Sequence, residues 1–203
     1  MGNSSFIKRH IFLIPLDKIF TSRDLLVYGS RNNVDQTTHK YVKAGAIVRL
    51  ARGVFVKPGP EFGKISVVDV AKAKAEAFGK QVSTWGGNLA SKLGLGVVHA
   101  QAYTYYVNAS SSSFWCGSAI VRFKKACSRK TRLGSGSQAG TFLGALWYLG
   151  ESQLPTIQRE YRWLPSKLNR IDKAEVRMSF KWIPEWLSSC FLDWPIPPSA
   201  LHT

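Results

Sequence analysis

SRNNVDQTTHKYVKAGAIVRLARGVFVKPGP, residues 30–60, reads as one polar helix followed by two short apolar strands. Ser30 is placed to cap a helix over roughly Arg31–Ala44, since its hydroxyl can accept an N–H that the first turn leaves unpaired. Gly45 is the expected stop, because glycine takes the left-handed conformation that closes a helix. At about 100° per residue, Val34, Thr38, Tyr41 and Val42 gather on one side. Asn32, Asn33, Gln36, His39, Lys40 and Lys43 fall opposite, and Asp35 sits at the boundary. Ala46–Leu50 and Val54–Lys57, with Ala51-Arg52-Gly53 between them, predict a two-stranded hairpin. Pro58-Gly59-Pro60 follows and is taken as a linker.

Upstream, Phe6, Ile7, His10, Ile11 and Ile14 space out as a short amphipathic helix over Ser4–Ile14, ended by Pro15. Thr21 and Asp24 have the spacing of a capping box, and Gly29 is expected as a left-handed stop for that brief helix. Helix, short turn, helix and hairpin within about sixty residues is the order of a winged helix-turn-helix. The expected class is therefore α+β: a winged helix-turn-helix over residues 1–60, then a mixed α/β domain over 61–203. A helix entering a major groove needs one apolar face to hold it and one donor-rich face to read base edges. The amides suit adenine, the lysines suit guanine or phosphate, and Arg49, Arg52 and Lys57 on the hairpin can reach backbone phosphates.

The charge supports a polyanionic partner. The chain has 203 residues, 28 Lys and Arg, 12 Asp and Glu, and a formal net charge of +16. Residues 1–60 hold ten cations against three acids, and residues 61–150 hold eleven against three. Residues 151–203 hold seven against six, so the excess lies in the first three quarters. With 45% hydrophobic and 12% aromatic residues, the chain is no disordered polybasic tail. No apolar run is long enough to span a membrane, and Lys8, Arg9 and Ile11–Leu16 lack the cleavage site of a signal peptide. Cys116, Cys127 and Cys190 are odd in number and widely spaced, which predicts reduced thiols and a cytoplasmic protein.

Residues 20–25 (FTSRDL), 29–31 (GSR) and above all 43–58 (KAGAIVRLARGVFVKP) resemble the N-terminal winged-helix domain of AbiEi-type antitoxins, from bacterial abortive-infection toxin–antitoxin operons. Gly86–Leu95, Tyr103–Asn108 and Ile120–Lys125 are similar to the second half of that family, and the resemblance fades after about Gly140. It implies an N-terminal domain that binds inverted repeats in its own promoter and represses transcription. It also implies a C-terminal domain needed for antitoxicity against a nucleotidyltransferase-like toxin, without a stable complex between the two. Base reading would fall to Asn32, Asn33, Gln36, Thr37 and Lys40, and phosphate contacts to Arg23, Arg31, Lys43, Arg49 and Arg52. The chain departs from the family pattern at Thr37-Thr38-His39, where a leucine is frequent near Thr38.

Beyond residue 60, helices are expected at Ser66–Phe78, Trp85–Leu93, Thr141–Gly150, Gln153–Leu164 and Asn169–Phe180. Strands are expected at Tyr103–Val107, Phe114–Cys116 and Ala119–Lys125, a basic Gly/Ser-rich loop at Arg129–Gly140, and a mostly irregular tail over Ile183–Thr203. Arg122, Lys124, Lys125, Arg129, Lys130 and Arg132 form the densest cationic run, close to several aromatics. This second basic surface, residues 120–132, is the alternative working site, for RNA or a protein. Enzyme readings are weak. Gly134–Gly140 lacks the Lys-Ser/Thr of a phosphate loop, no G-x-S-x-G occurs, and no acid pair marks the basic region. No catalytic activity, cofactor or metal site is expected.

Overall fold

The computed structural model describes residues 3–95, 103–133, 136–156 and 173–191. In chain order these are α1 (Asn3–Leu13), β1 (Ile19–Thr21), α2 (Ser22–Leu25), α3 (Arg31–Lys43), β2 (Val48–Ala51) and β3 (Val54–Val56). Then come α4 (Val67–Glu76), β4 (Val82–Thr84), α5 (Gly86–Lys92), β5 (Thr104–Val107), β6 (Ser112–Cys116) and β7 (Ala119–Lys125). Four further helices are α6 (Ser128–Leu133), α7 (Gln138–Leu149), α8 (Lys173–Met178) and α9 (Glu185–Ser189). The protein is a mixed α+β chain. Among the described residues no helix is long and apolar enough to cross a membrane.

Two compact units form: residues 1–81 with 111–123, and residues 82–110 with 124–203. In the first unit β3 runs antiparallel between β1 and β2, and β2 meets β6 at Ala51 and Cys116. β6 in turn pairs with β7 from Ser112–Phe123 to Cys116–Ala119. β3 is buried on both faces: Val54, Phe55 and Val56 are all at most 1% exposed. Phe55 and Phe20 join Ile7, Ile11, Leu25, Val34 and Ile47 under α1 and α3. Val54 and Ala51 face the other way and pack with Val70 of α4.

Local signals set the helices of this unit as expected. The hydroxyl of Thr21 accepts the N–H of Asp24 while the Asp24 carboxylate accepts the N–H of Thr21. Ser30 caps α3 through the N–H of Asn33, and Gly45 follows at φ 72°. Ser66 and Asp69 form a second capping box on α4. Gly29, expected as a left-handed stop, is instead extended, at φ 175°. A 3-10 turn over Leu26–Tyr28 ends α2 in its place.

The largest correction concerns Pro58-Gly59-Pro60, which lies inside the first unit and is no linker. Asp17, at φ 61°, directs its carboxylate into this run. Its Oδ1 accepts the N–H of Gly59 at 2.7 Å and its Oδ2 accepts that of Glu61 at 2.9 Å. A Cβ at Gly59 would lie 2.6 Å from Asp17 Oδ2 and 2.7 Å from Leu16 Cβ, so only glycine fits. Lys57 is tied in too: its ammonium donates to the carbonyl of Phe12 at 2.9 Å and caps the end of α1. The unit then continues past residue 60, taking in α4 and, from further along the chain, β6.

In the second unit β4 and β5 pair antiparallel, Val82 with Val107 and Thr84 with Tyr105. α5 packs on α7 through two glycines. A Cβ at Gly86 would overlap the Tyr148 side chain, and one at Gly144 would lie 2.8 Å from Leu89 Cδ1. Leu89, Phe142, Leu143, Leu146, Val176, Leu187 and Phe191 make the core, with Trp182 and Trp186 against it. The basic loop expected at Arg129–Gly140 is overturned where it is described: Ser128–Leu133 is helical, and Gly140 lies in the first turn of α7. The stretch after Ile183 also holds a helix, α9. Most of the helix expected at Gln153–Leu164, and the start of that at Asn169–Phe180, lie outside the described residues.

Asp17→Ala removes a carboxylate that holds two backbone N–H groups and puts a Cβ-bearing residue without a local acceptor at positive φ. The expected loss is about 2–4 kcal/mol of unfolding free energy, combining the missing hydrogen bonds with left-handed strain. Urea denaturation followed by circular dichroism measures it, and limited proteolysis near Pro58–Pro60 should accelerate in parallel.

Candidate functional site

The exposed side of α3 follows from its buried side. Val34, Thr37 and Thr38 are at most 3% exposed, and Thr38 donates its hydroxyl to the Val34 carbonyl at 2.9 Å. Asn32, Gln36, His39, Lys40 and Lys43 are exposed, and Asn33 is half-buried. Thr37 is therefore corrected: its side chain is spent on packing and can read nothing outside. Gln36 and Asn32, one turn apart, bring their amides within 3.5 Å. Arg31 is held to Asp35 at 3.0 Å with both side chains open to solvent, a pair that stabilises little and leaves the guanidinium accessible.

Beside α3 lies a cleft of about 560 Å³ within the first unit. It is lined by Arg23 of α2, Arg31 at the start of α3, Arg52 in the β2–β3 turn, and Lys74 and Lys80 on and after α4. No carboxylate lines it. The turn is fixed there because the N–H of Ser22 donates to the carbonyl of Gly53 at 2.9 Å, and Gly53 takes φ 75°. Two aromatic rings support the cations. Arg23 lies over Phe78 at 5.4 Å, and Lys74 lies over Phe114 at 4.8 Å. The Lys74 ammonium also donates to the Arg52 carbonyl at 2.6 Å. Burial, and then the nearby Arg52 charge, hold the Lys74 pKa below the ordinary lysine value.

Of the ten residues assigned to DNA contact, Arg23, Arg31 and Arg52 thus meet at one cleft. Asn32, Gln36, Lys40 and Lys43 stand on the outer face of α3. Arg49 is exposed on β2, its guanidinium 5.6 Å from the centre of the Phe55 ring. Lys57 leaves the set of phosphate contacts, being engaged with α1. Lys74, Lys80, Phe78 and Phe114 were not anticipated. The signal for Lys74 was present, as a lysine standing in the otherwise apolar stripe of α4.

The second basic run crosses the division between the units within β7, where Arg122 and Lys124 alternate with the buried Val121 and Phe123. Arg122 belongs to the first unit, where it is exposed. Lys124, Lys125, Arg129, Lys130 and Arg132 belong to the second. There three cations lie over tryptophans: Lys124 over Trp85 at 4.4 Å, Lys130 over Trp147 at 4.8 Å and Arg132 over Trp182 at 4.4 Å. Trp115 on β6 is 63% exposed.

Residues 7–172 match the model of a family of unknown function (DUF6088), and the chain belongs to that family. No curated protein and no solved structure matches it.

Arg52→Ala removes the smaller of the two causes that depress Lys74. The Lys74 pKa is expected to rise part of the way toward the usual lysine value and stay below it, since burial remains. A pH titration of the Lys74 side-chain resonances by NMR, in both forms of the protein, checks this.

Proposed function

We propose that this protein binds duplex DNA through its first unit, represses its own operon, and is the antitoxin that counteracts a nucleotidyltransferase-like toxin. The observation that carries the reading is the arrival of Arg31, from the start of α3, and Arg52, from the β2–β3 turn, at one cleft without a carboxylate. In this reading α1, α2, α3 and the β2–β3 hairpin are a winged helix-turn-helix. The exposed Asn32, Gln36 and Lys40 read base edges in the major groove. Arg23, Arg31, Lys43, Arg49 and Arg52 hold phosphates and set the register. The resemblance of residues 43–58 to AbiEi-type antitoxins supplies the operon, the inverted repeats and the toxin. The second reading, an RNA- or protein-binding module working through residues 120–132, has the three tryptophan-backed cations in its favour.

Fluorescence anisotropy with labelled duplex from the chain's own upstream region tests the first reading. The logarithm of the binding constant should fall with the logarithm of salt by about 0.9 for each phosphate neutralised. Arg31→Ala and Arg52→Ala should each reduce that slope by about one. Gln36→Ala with Lys40→Ala should cost about 1–3 kcal/mol of discrimination against unrelated duplex for each base that is no longer read. Binding indifferent to salt would sink the reading. So would binding abolished by Arg122→Glu with Lys124→Glu yet untouched by the α3 changes.

A further inference from the structure

We infer that the cleft of the first unit is a binding site for a nucleotide, a phosphorylated small molecule carrying an aromatic base. Its volume of about 560 Å³ lies inside the ~300–1,000 Å³ range of small-ligand sites. Arg23, Arg31, Arg52 and Lys74 reach it from four separate elements, with no acid among the lining residues. Like charges drawn together this way repel, and a bound polyanion relieves the repulsion. Lys74 is the most constrained of them. It is half-buried, and one of its three donors is committed to the Arg52 carbonyl. Two N–H donors remain for a phosphate oxygen.

The aromatic part rests on Phe78 and Phe114. Phe78 is 58% exposed, a cost for a phenyl ring that a stacked base would offset. Arg23 lies over that ring, and a guanidinium stacked on a ring keeps its in-plane N–H edges free for an anion. A cation and a ring held together in one cleft match a phosphate and a base carried by one molecule. Duplex DNA would leave the rings idle, because its bases are stacked inside the helix and its phosphates lie outside. The inference therefore stands apart from the proposed repressor role, although Arg23, Arg31 and Arg52 would serve both. A nucleotide in the cleft then competes with duplex at those three arginines.

Isothermal titration of the full chain at about 0.15 M salt tests it, with ATP, inorganic triphosphate and adenosine as probes. ATP is expected to bind at least about tenfold more tightly than triphosphate, and adenosine most weakly. Lys74→Met, which keeps the packing of the stem, should weaken ATP at least about tenfold. Phe78→Ala should weaken ATP and leave triphosphate unchanged. Lys92→Ala, an exposed cation on α5, should change neither. Thermal melts by circular dichroism establish that each variant is folded. If Lys74→Met is not, Lys80→Ala takes its place. Equal affinities for ATP and triphosphate overturn the inference, as does the absence of ATP binding or its indifference to both the Lys74 (or Lys80) and Phe78 changes. Loss of duplex binding has no bearing on these outcomes.

Discussion

The first unit depends on a strand with no free face. β3 contributes three residues, all buried, because α1 and α3 cover Phe55 while α4 covers Val54. A strand buried on both faces tolerates neither a register slip nor a shift along its axis, since either would carry apolar side chains away from their partners. The turn that joins it to β2 is therefore held in place, and Arg52 with it. Ser22 completes the restraint by donating its N–H to the next carbonyl along, that of Gly53. The position of one surface arginine is thus decided by hydrophobic burial several residues away.

The electrostatics follow a consistent pattern. A chain with 28 cations and 12 acids cannot pair most of its positive charge internally. Aromatic faces take up part of the load in both units, under Arg23, Lys74, Lys124, Lys130 and Arg132 among others. A cation over a ring gains about 0.5–1 kcal/mol at exposed sites while keeping its charge and most of its donors. Such a surface is ordered and still attractive to an anion. Where carboxylates do occur in the first unit, several are spent on backbone N–H groups: Asp24 and Asp69 in capping boxes, Asp17 on the Pro58–Pro60 run. Those acids neutralise helix ends and backbone N–H groups rather than lysines and arginines.

Much of the local structure was legible in the residues because its causes are local. Thr21 with Asp24, Ser30, and Gly45 act over three or four positions, and each cap or stop formed where the spacing placed it. Thr37 shows a legible signal passed over. It lies about 60° from Val34 on a helical projection, on the apolar side, and it is buried. The helix at Ser128–Leu133 was hidden for another reason. Glycine and serine just beyond it suggested a loop, whereas Arg, Lys and Leu are good helix formers whose charges here find tryptophan faces. β1 is three residues long, too short for alternation to declare it, and exists because β3 offers it a partner.

The sequence by itself determined the capped helices of the first unit and its hairpin, the polar outer face of α3, and the excess of positive charge. Those properties depend on neighbours along the chain and on composition. Only the tertiary structure decided which of the cations share a site and where the chain divides. Lys74 reaches Arg52 across twenty-two positions, β6 returns to pair with β2, and Asp17 binds the run that composition marks as a break. Such contacts come from burying apolar surface between distant segments, and no periodicity or local spacing encodes which segments will meet.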